Sequence, residues 1–244
     1  MNDVLKGMAA RKSVRAYEER TIPERDKEKI IHAALQAPTA GNQVLYTILE
    51  IEDPAIKEEL SRTCDNQPFI AKAPLVLVFL ADCRRWLDCY RYAGAPYRKP
   101  GLGDLMLACS DALIAAQNAV MAAASLEIGS CYIGDILENK ERVVPFLHLD
   151  EYVFPVTMLV FGYPTEQQKN RKKPKRFDAK YIVQKNTYHP LDEETLRKMH
   201  REQSEDENYD FDAQIRAFCK RKYMSDFSLE MTRSVGEYLK NFDN

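Results

Sequence analysis

The amino-acid sequence predicts one sizeable α/β or α+β domain, alone or with an appendage, and three observations carry that expectation. The chain has 244 residues, enough to bury a real core. Pro74 to Leu80 is an unbroken apolar, β-branched run, the pattern of a strand covered on both faces. Asp104 to Glu127 repeats apolar residues at helical spacing and leaves almost no polar face.

The elements follow in order. Pro23, Glu24, Arg25 and Asp26 start a helix, because proline and acids suit a first turn. Ile30, Ile31, Ala34 and Leu35 continue it, and it must end before Pro38, whose ring excludes helical geometry from the residue preceding it. Pro38 to Gln43 is a turn-forming segment, and Val44 to Ile51 reads as a strand. A short helix spans 54–62 and the central strand 74–80. Residues 82–103 interleave Trp86, Tyr90, Tyr92 and Tyr97 with arginines, prolines and glycines, which predicts a short helix and then a flexible flap. The long helix at 104–127 is apolar nearly all round, so it is buried in the core or across a subunit interface. A short strand at 129–134, a helix at 139–146 and a strand at 152–161 complete the main domain. From about residue 191 the chain is highly charged with three helical stretches, and it reads as an extension packed on a domain spanning 1–190.

Composition excludes several classes of function. Hydrophobic residues make up 45% and charged residues 30%, and the net charge of -2 gives no global drive toward nucleic acid or anionic membrane. The first ten residues lack the apolar core of a secretory signal, and no apolar run of spanning length is free of charge. The six cysteines form no CxxC pair, which reads as reduced thiols in a cytoplasmic protein. The four histidines lack metal-ligand spacing, so no metal site is expected. Cys131 reads as a small buried residue rather than a nucleophile.

The densest functional signal is Arg11, Lys12, Ser13, Val14 and Arg15. In an extended backbone Arg11, Ser13 and Arg15 project to one side, since side chains alternate with period two. Two guanidinium forks and a hydroxyl on one face form a cradle for a phosphate dianion, although a solvated basic turn has the same composition. A second basic run, six of eight residues from Lys169 to Arg176, reads as a solvated loop, an import signal, a nucleic-acid patch or a second phosphate clamp. The nucleic-acid reading lacks an aromatic platform or a recognised module.

Four ordered segments together resemble the nitroreductase family of FMN-dependent NAD(P)H oxidoreductases: 11–15, 37–43, 67–74 and 129–134. Phe161 to Pro164 with the basic residues beyond it fits the same pattern, and the resemblance covers roughly residues 4–190. It implies an α+β fold with a central mixed β-sheet flanked by helices, in a domain-swapped homodimer with active sites at the interface. It also implies FMN as cofactor and NADH or NADPH as donor.

By the same resemblance, Arg11, Ser13 and Arg15, with Lys12 beside them, hold the phosphate and ribityl oxygens. Lys173 and Arg176 add a second clamp, although Pro174 interrupts the usual spacing. Asn42 and Gln67 hydrogen-bond the ring edge or ribityl chain. The backbone of Pro38, Thr39 and Ala40 reaches across from the partner subunit. Amides near Ile133 and Gly134 face flavin N5 and the pyrimidine edge. The implied reaction passes a hydride through flavin N5 to a nitroaromatic, quinone or related electron-poor acceptor, with no catalytic side chain required. The aromatic flap is a candidate acceptor lid or, equally, core packing. Flavin-cleaving or dehalogenating chemistry, or redox sensing without turnover, are the alternatives.

Overall fold

The computed structural model describes residues 1–243. The described residues divide into two compact units: residues 1–171 together with the chain from Glu230 onward, and Lys172–Leu229.

The first unit is built on a four-stranded antiparallel sheet in the order β1-β2-β4-β3, with β1 Tyr46–Glu50, β2 Leu75–Asp82, β3 Gly129–Ile133 and β4 Val153–Gly162. The register pairs Ile48 with Phe79, Leu77 with Leu159, and Cys131 with Val160. The expected mixed sheet is therefore antiparallel among these strands, and among the described residues its parallel component is the single bridge Ser13–Ser130. Strand β2 is central, as its composition requires. Its alternate side chains feed two cores, Leu75, Leu77 and Phe79 on one face and Val76, Val78 and Leu80 on the other.

Helices cover both faces. Against the first pack α2 (Glu24–Leu35) and α5 (Leu102–Ser125), whose Ala112, Ala115, Ala116, Ala119 and Ala123 are fully buried and let the helix approach the sheet closely. Against the second lie α3 (Pro54–Thr63) and α6 (Lys140–Phe146). The α5 helix is long and apolar enough to cross a membrane, but one face of it is core of this domain. Its other face exposes Met106, Leu107, Leu113 and Ile114.

The remaining helices are α1 (Asp3–Ala10), α4 (Arg84–Tyr92), α7 (Glu166–Asn170), α8 (Ala179–Ile182), α9 (Glu193–Gln203), α10 (Phe211–Phe218) and α11 (Asp226–Leu239). The expected boundary at 190/191 is not where the units divide. From Glu230 the chain belongs to the first unit, because Tyr238 and Phe242 bury edge-on against Phe154 and Tyr152. The Ser234 hydroxyl also accepts the Lys140 amide at 3.0 Å, and Arg233 pairs with Glu141 at 2.8 Å. The second unit therefore begins inside the basic run. It is held by Lys180–Glu202 and Arg197–Asp212 ion pairs at 2.7 and 3.0 Å, and by His200 sandwiched between Phe177 and Phe211.

Candidate cofactor site

Residues 11–15 form an extended ribbon laid on the sheet. Helix α1 ends at Arg11, whose amide caps the Gly7 carbonyl at 3.0 Å. Ser13 then bridges Ser130, and the Val14 amide donates to the Ser130 carbonyl at 3.0 Å. Two glycines permit this approach. A Cβ at Gly129 would lie 2.6 Å from Val14 Cγ2, and one at Gly162 would lie 2.5 Å from Tyr17 Cδ1. The Tyr17 hydroxyl closes the ribbon by donating to the Val14 carbonyl at 3.1 Å.

The extended backbone separates the ribbon's side chains as period two requires. Val14 enters the core, and the Lys12 ammonium turns to the carbonyls of Lys169, at 2.6 Å, and Arg171. Lys12 therefore braces residues 169–171. Arg11, Ser13 and Arg15 share the other side, where all three bear on the buried Cys131 thiol. Burial pushes that thiol's pKa up, against the opposing pull of Arg15, Ser13 and Arg11, so Cys131 stays a protonated filler at the floor of the cradle.

The decisive atom is Arg11 Nη1, which is buried and has no hydrogen-bond partner in the protein. A buried, unsatisfied guanidinium N–H costs free energy unless a ligand meets it. A phosphate oxygen fits that requirement. Across the cradle the Arg171 guanidinium donates to the Ser13 carbonyl at 2.6 Å, and the Arg15 amide donates to Gln168 Oε1 at 3.2 Å. The cation that the second basic run brings to the cradle is thus Arg171, whereas Lys173 and Arg176 belong to the second unit.

Gln67 lies beyond α3, where its side-chain amide nitrogen donates to Asp135 Oδ2 at 2.8 Å and to the Cys64 carbonyl at 2.9 Å. Asp135 follows Ile133 and Gly134 at the end of β3. Gly134 faces open space, since a Cβ there would meet no atom within 4 Å. Cys64, Cys131 and Ile133 all belong to the core on the α3 side of the sheet, so Gln67 lies on this face; Ser13 and Arg15 reach the Cys131 thiol from the ribbon, and Arg11 also lines a hollow with Ala124 and Glu127.

Pro38, Thr39, Ala40 and Asn42 stand on the other face. Ala37 packs into the α5-side core, and Ala40 to Asn42 form a single 3-10 turn. The buried carboxylate of Asp111 on α5 clamps the turn, accepting the Ala40 amide at 2.9 Å and the Leu45 amide at 3.3 Å. The Thr39 hydroxyl accepts the Val44 amide at 3.1 Å. Within one protomer the sheet separates this turn, exposed Asn42 included, from Gln67.

The flap is anchored rather than loose. Trp86 Nε1 donates to the Gln43 carbonyl at 2.8 Å, and Arg98 forks onto Asp104 at the start of α5. Trp86, Tyr90, Tyr97, Leu45 and Leu107 line a cavity of about 400 Å³ beside Gln43, while Tyr92 is 80% exposed and stands outside that lining.

Residues 8–163 match the family model described as the Nitroreductase family. The chain belongs to the nitroreductase family. It is 31% identical over 199 residues to an FMN reductase [NAD(P)H] of Bacillus subtilis, covering 80% of this chain and 78% of that protein. It is equally 31% identical to an oxygen-insensitive NADPH nitroreductase of Salmonella typhimurium, covering 81% of this chain and 80% of the relative. Among solved structures, NfrA2 of B. megaterium superposes with a TM-score of 0.81 at 26% identity, over the whole of both chains. The α+β nitroreductase fold expected from the five segments is therefore present.

Sequence reasoning about this nitroreductase missed Asp111, Arg171 and Asp135. Asp111 is the one acid within the buried stripe of α5, and that interruption was its available signal. Nothing local marks Arg171 above its basic neighbours, since its contact with Ser13 spans 158 residues.

Proposed function

We propose that this protein is an FMN-dependent NAD(P)H oxidoreductase, and the observation that carries the reading is the buried, unpartnered Arg11 Nη1 beside Ser13 and Arg15. Arg11 and Arg15 would hold the phosphate, with Ser13 on the phosphate or ribityl oxygens and Arg171 steadying the ribbon through the Ser13 carbonyl. Gln67 and the open edge at Gly134 would receive the ring or ribityl chain. Bound FMN would supply two-electron transfer from NADH or NADPH to an electron-poor acceptor such as a nitroaromatic or quinone. The names of the Bacillus and Salmonella relatives support that donor and cofactor.

Nitroreductase family members are generally dimeric and act on small molecules. We infer a homodimer here, with Pro38, Thr39, Ala40 and Asn42 of one copy completing the site of the other. Two observations support it: the sheet separates that turn from Gln67 within a protomer, and α5 leaves Met106, Leu107, Leu113 and Ile114 exposed. The cavity under Trp86, Tyr90 and Tyr97 is the candidate acceptor pocket. Six unpaired thiols accord with a cytoplasmic location.

The test is the purified protein itself. It should be yellow, release FMN and not FAD on denaturation, and bleach with NADH or NADPH before recovering with a quinone or nitroaromatic. A colourless protein that takes up no added FMN would overturn the proposal.

A further inference from the structure

Two acceptors and one donor meet at the inner end of Gln67. The side-chain amide group lies 2.8 Å from Asp135 Oδ2 and 2.9 Å from the Cys64 carbonyl. Both are acceptors only, so the group that faces them is the NH₂, and both of its hydrogens are spent. Gln67 is thereby left with a carbonyl oxygen and no donor for anything outside.

Asp135 is itself held from behind by Glu138, which is 4% exposed, hydrogen-bonded to Asp135, and left with one carboxyl oxygen without a partner. Two carboxyl groups can share a hydrogen bond only if one keeps its proton. The groups facing Glu138 are all acidic: Asp135 on its own turn, Asp65 after α3 and Glu230 on α11. The Cys64 thiol, protonated through burial, lies in the same cluster. Arg233 is engaged by Glu230 and Glu141. Burial and these neighbours keep Glu138 neutral up to about pH 8.

We propose that Asp135 and Glu138 are positioning residues that share one proton and hold Gln67 with its carbonyl outward, so that this edge of the site recognises the cofactor through a hydrogen-bond donor, the flavin N3–H or a ribityl hydroxyl, rather than through a ring carbonyl. The inference rests on the FMN reading. Loss of the Glu138 proton places a second negative charge beside Asp135, pushes the two carboxylates apart and releases Gln67.

The test is FMN binding to the apoprotein between pH 6 and 9.5, followed by flavin fluorescence, for wild type, Glu138→Gln, Asp135→Asn and Asp135→Ala. Wild-type affinity should fall about fivefold as the pH crosses 8, the worth of roughly one hydrogen bond. Glu138→Gln keeps a donor to Asp135 and should bind without that step. Asp135→Asn still accepts from Gln67 and no longer needs the shared proton, so it too should be flat. Asp135→Ala should be weaker by a similar factor at every pH. N3-methyl-FMN separates the two donors: weaker binding than FMN assigns N3–H, equal binding a ribityl hydroxyl. Wild type and Glu138→Gln with identical pH profiles, or Asp135→Ala and Asp135→Asn both binding as wild type does, would overturn the inference while the cofactor reading stands. A wild type that takes up no FMN at any pH would overturn both.

Discussion

Val14 sits directly on Gly129: a Cβ at that glycine would approach Val14 Cγ2 to 2.6 Å and Cβ to 2.8 Å. The contact fixes the height at which the arginine ribbon lies on the sheet, because the Val14 amide is tied to the neighbouring Ser130 carbonyl at the same point. Sequence places a glycine at the start of a strand, packing uses the missing side chain, and the cradle inherits its position.

Gly129→Ala should therefore destabilise the fold by about 1–3 kcal/mol through overpacking and weaken FMN binding as the ribbon lifts. Adding Val14→Ala should recover part of both losses, since the two changes meet in one contact. Urea unfolding and FMN titration of the two single variants and the double variant measure the coupling.

Asp111→Ala should leave the Ala40 and Leu45 amides without their acceptor, at a cost of about 1–3 kcal/mol for each orphaned donor. The turn at 39–43 should loosen before the sheet does. Hydrogen exchange of the Ala40 amide should accelerate in the variant while exchange in β2 stays slow.

Glu138 gives stability a pH dependence of defined sign. Its carboxyl is raised from an ordinary value of 4.5 to about 8, so between those limits the native protein keeps a proton that the unfolded chain has released. The contribution is fully present below about 4.5 and is lost as pH rises to about 8. Glu138→Gln removes that loss. Its melting temperature relative to wild type should rise steadily from pH 5 to pH 8 and level off above, as measured by calorimetry.

Ile114→Glu places a charge in the exposed apolar face of α5. Sedimentation should show wild type as a dimer and the variant shifted toward monomer, with FMN held more weakly in proportion. A wild-type monomer that retains FMN tightly would contradict the shared site.

The legible parts were those whose chemistry is local. β2 is buried on both faces, so an unbroken apolar run announced it. The alternation of Arg11, Ser13 and Arg15 needs only an extended backbone, and the structure supplies one. Helix α1 was not anticipated, since its exposed apolar residues Val4, Leu5 and Met8 share no buried stripe. Asp111 and Asp135 act on backbone and side chains 71 and 68 residues away, and no periodicity reports such pairings. The boundary at 171/172 was hidden for the same reason: Tyr238 and Phe242 return to the first unit after a charged stretch that reads as continuous tail.

The central claim, that Arg11 meets the phosphate, is tested most directly by titrating Arg11→Ala with FMN and with riboflavin, which lacks the phosphate. FMN affinity should fall about ten- to a hundredfold, the loss of one charge-assisted contact, while riboflavin binds variant and wild type alike. If riboflavin binding falls as far as FMN binding, the unpartnered guanidinium of Arg11 is not the phosphate ligand.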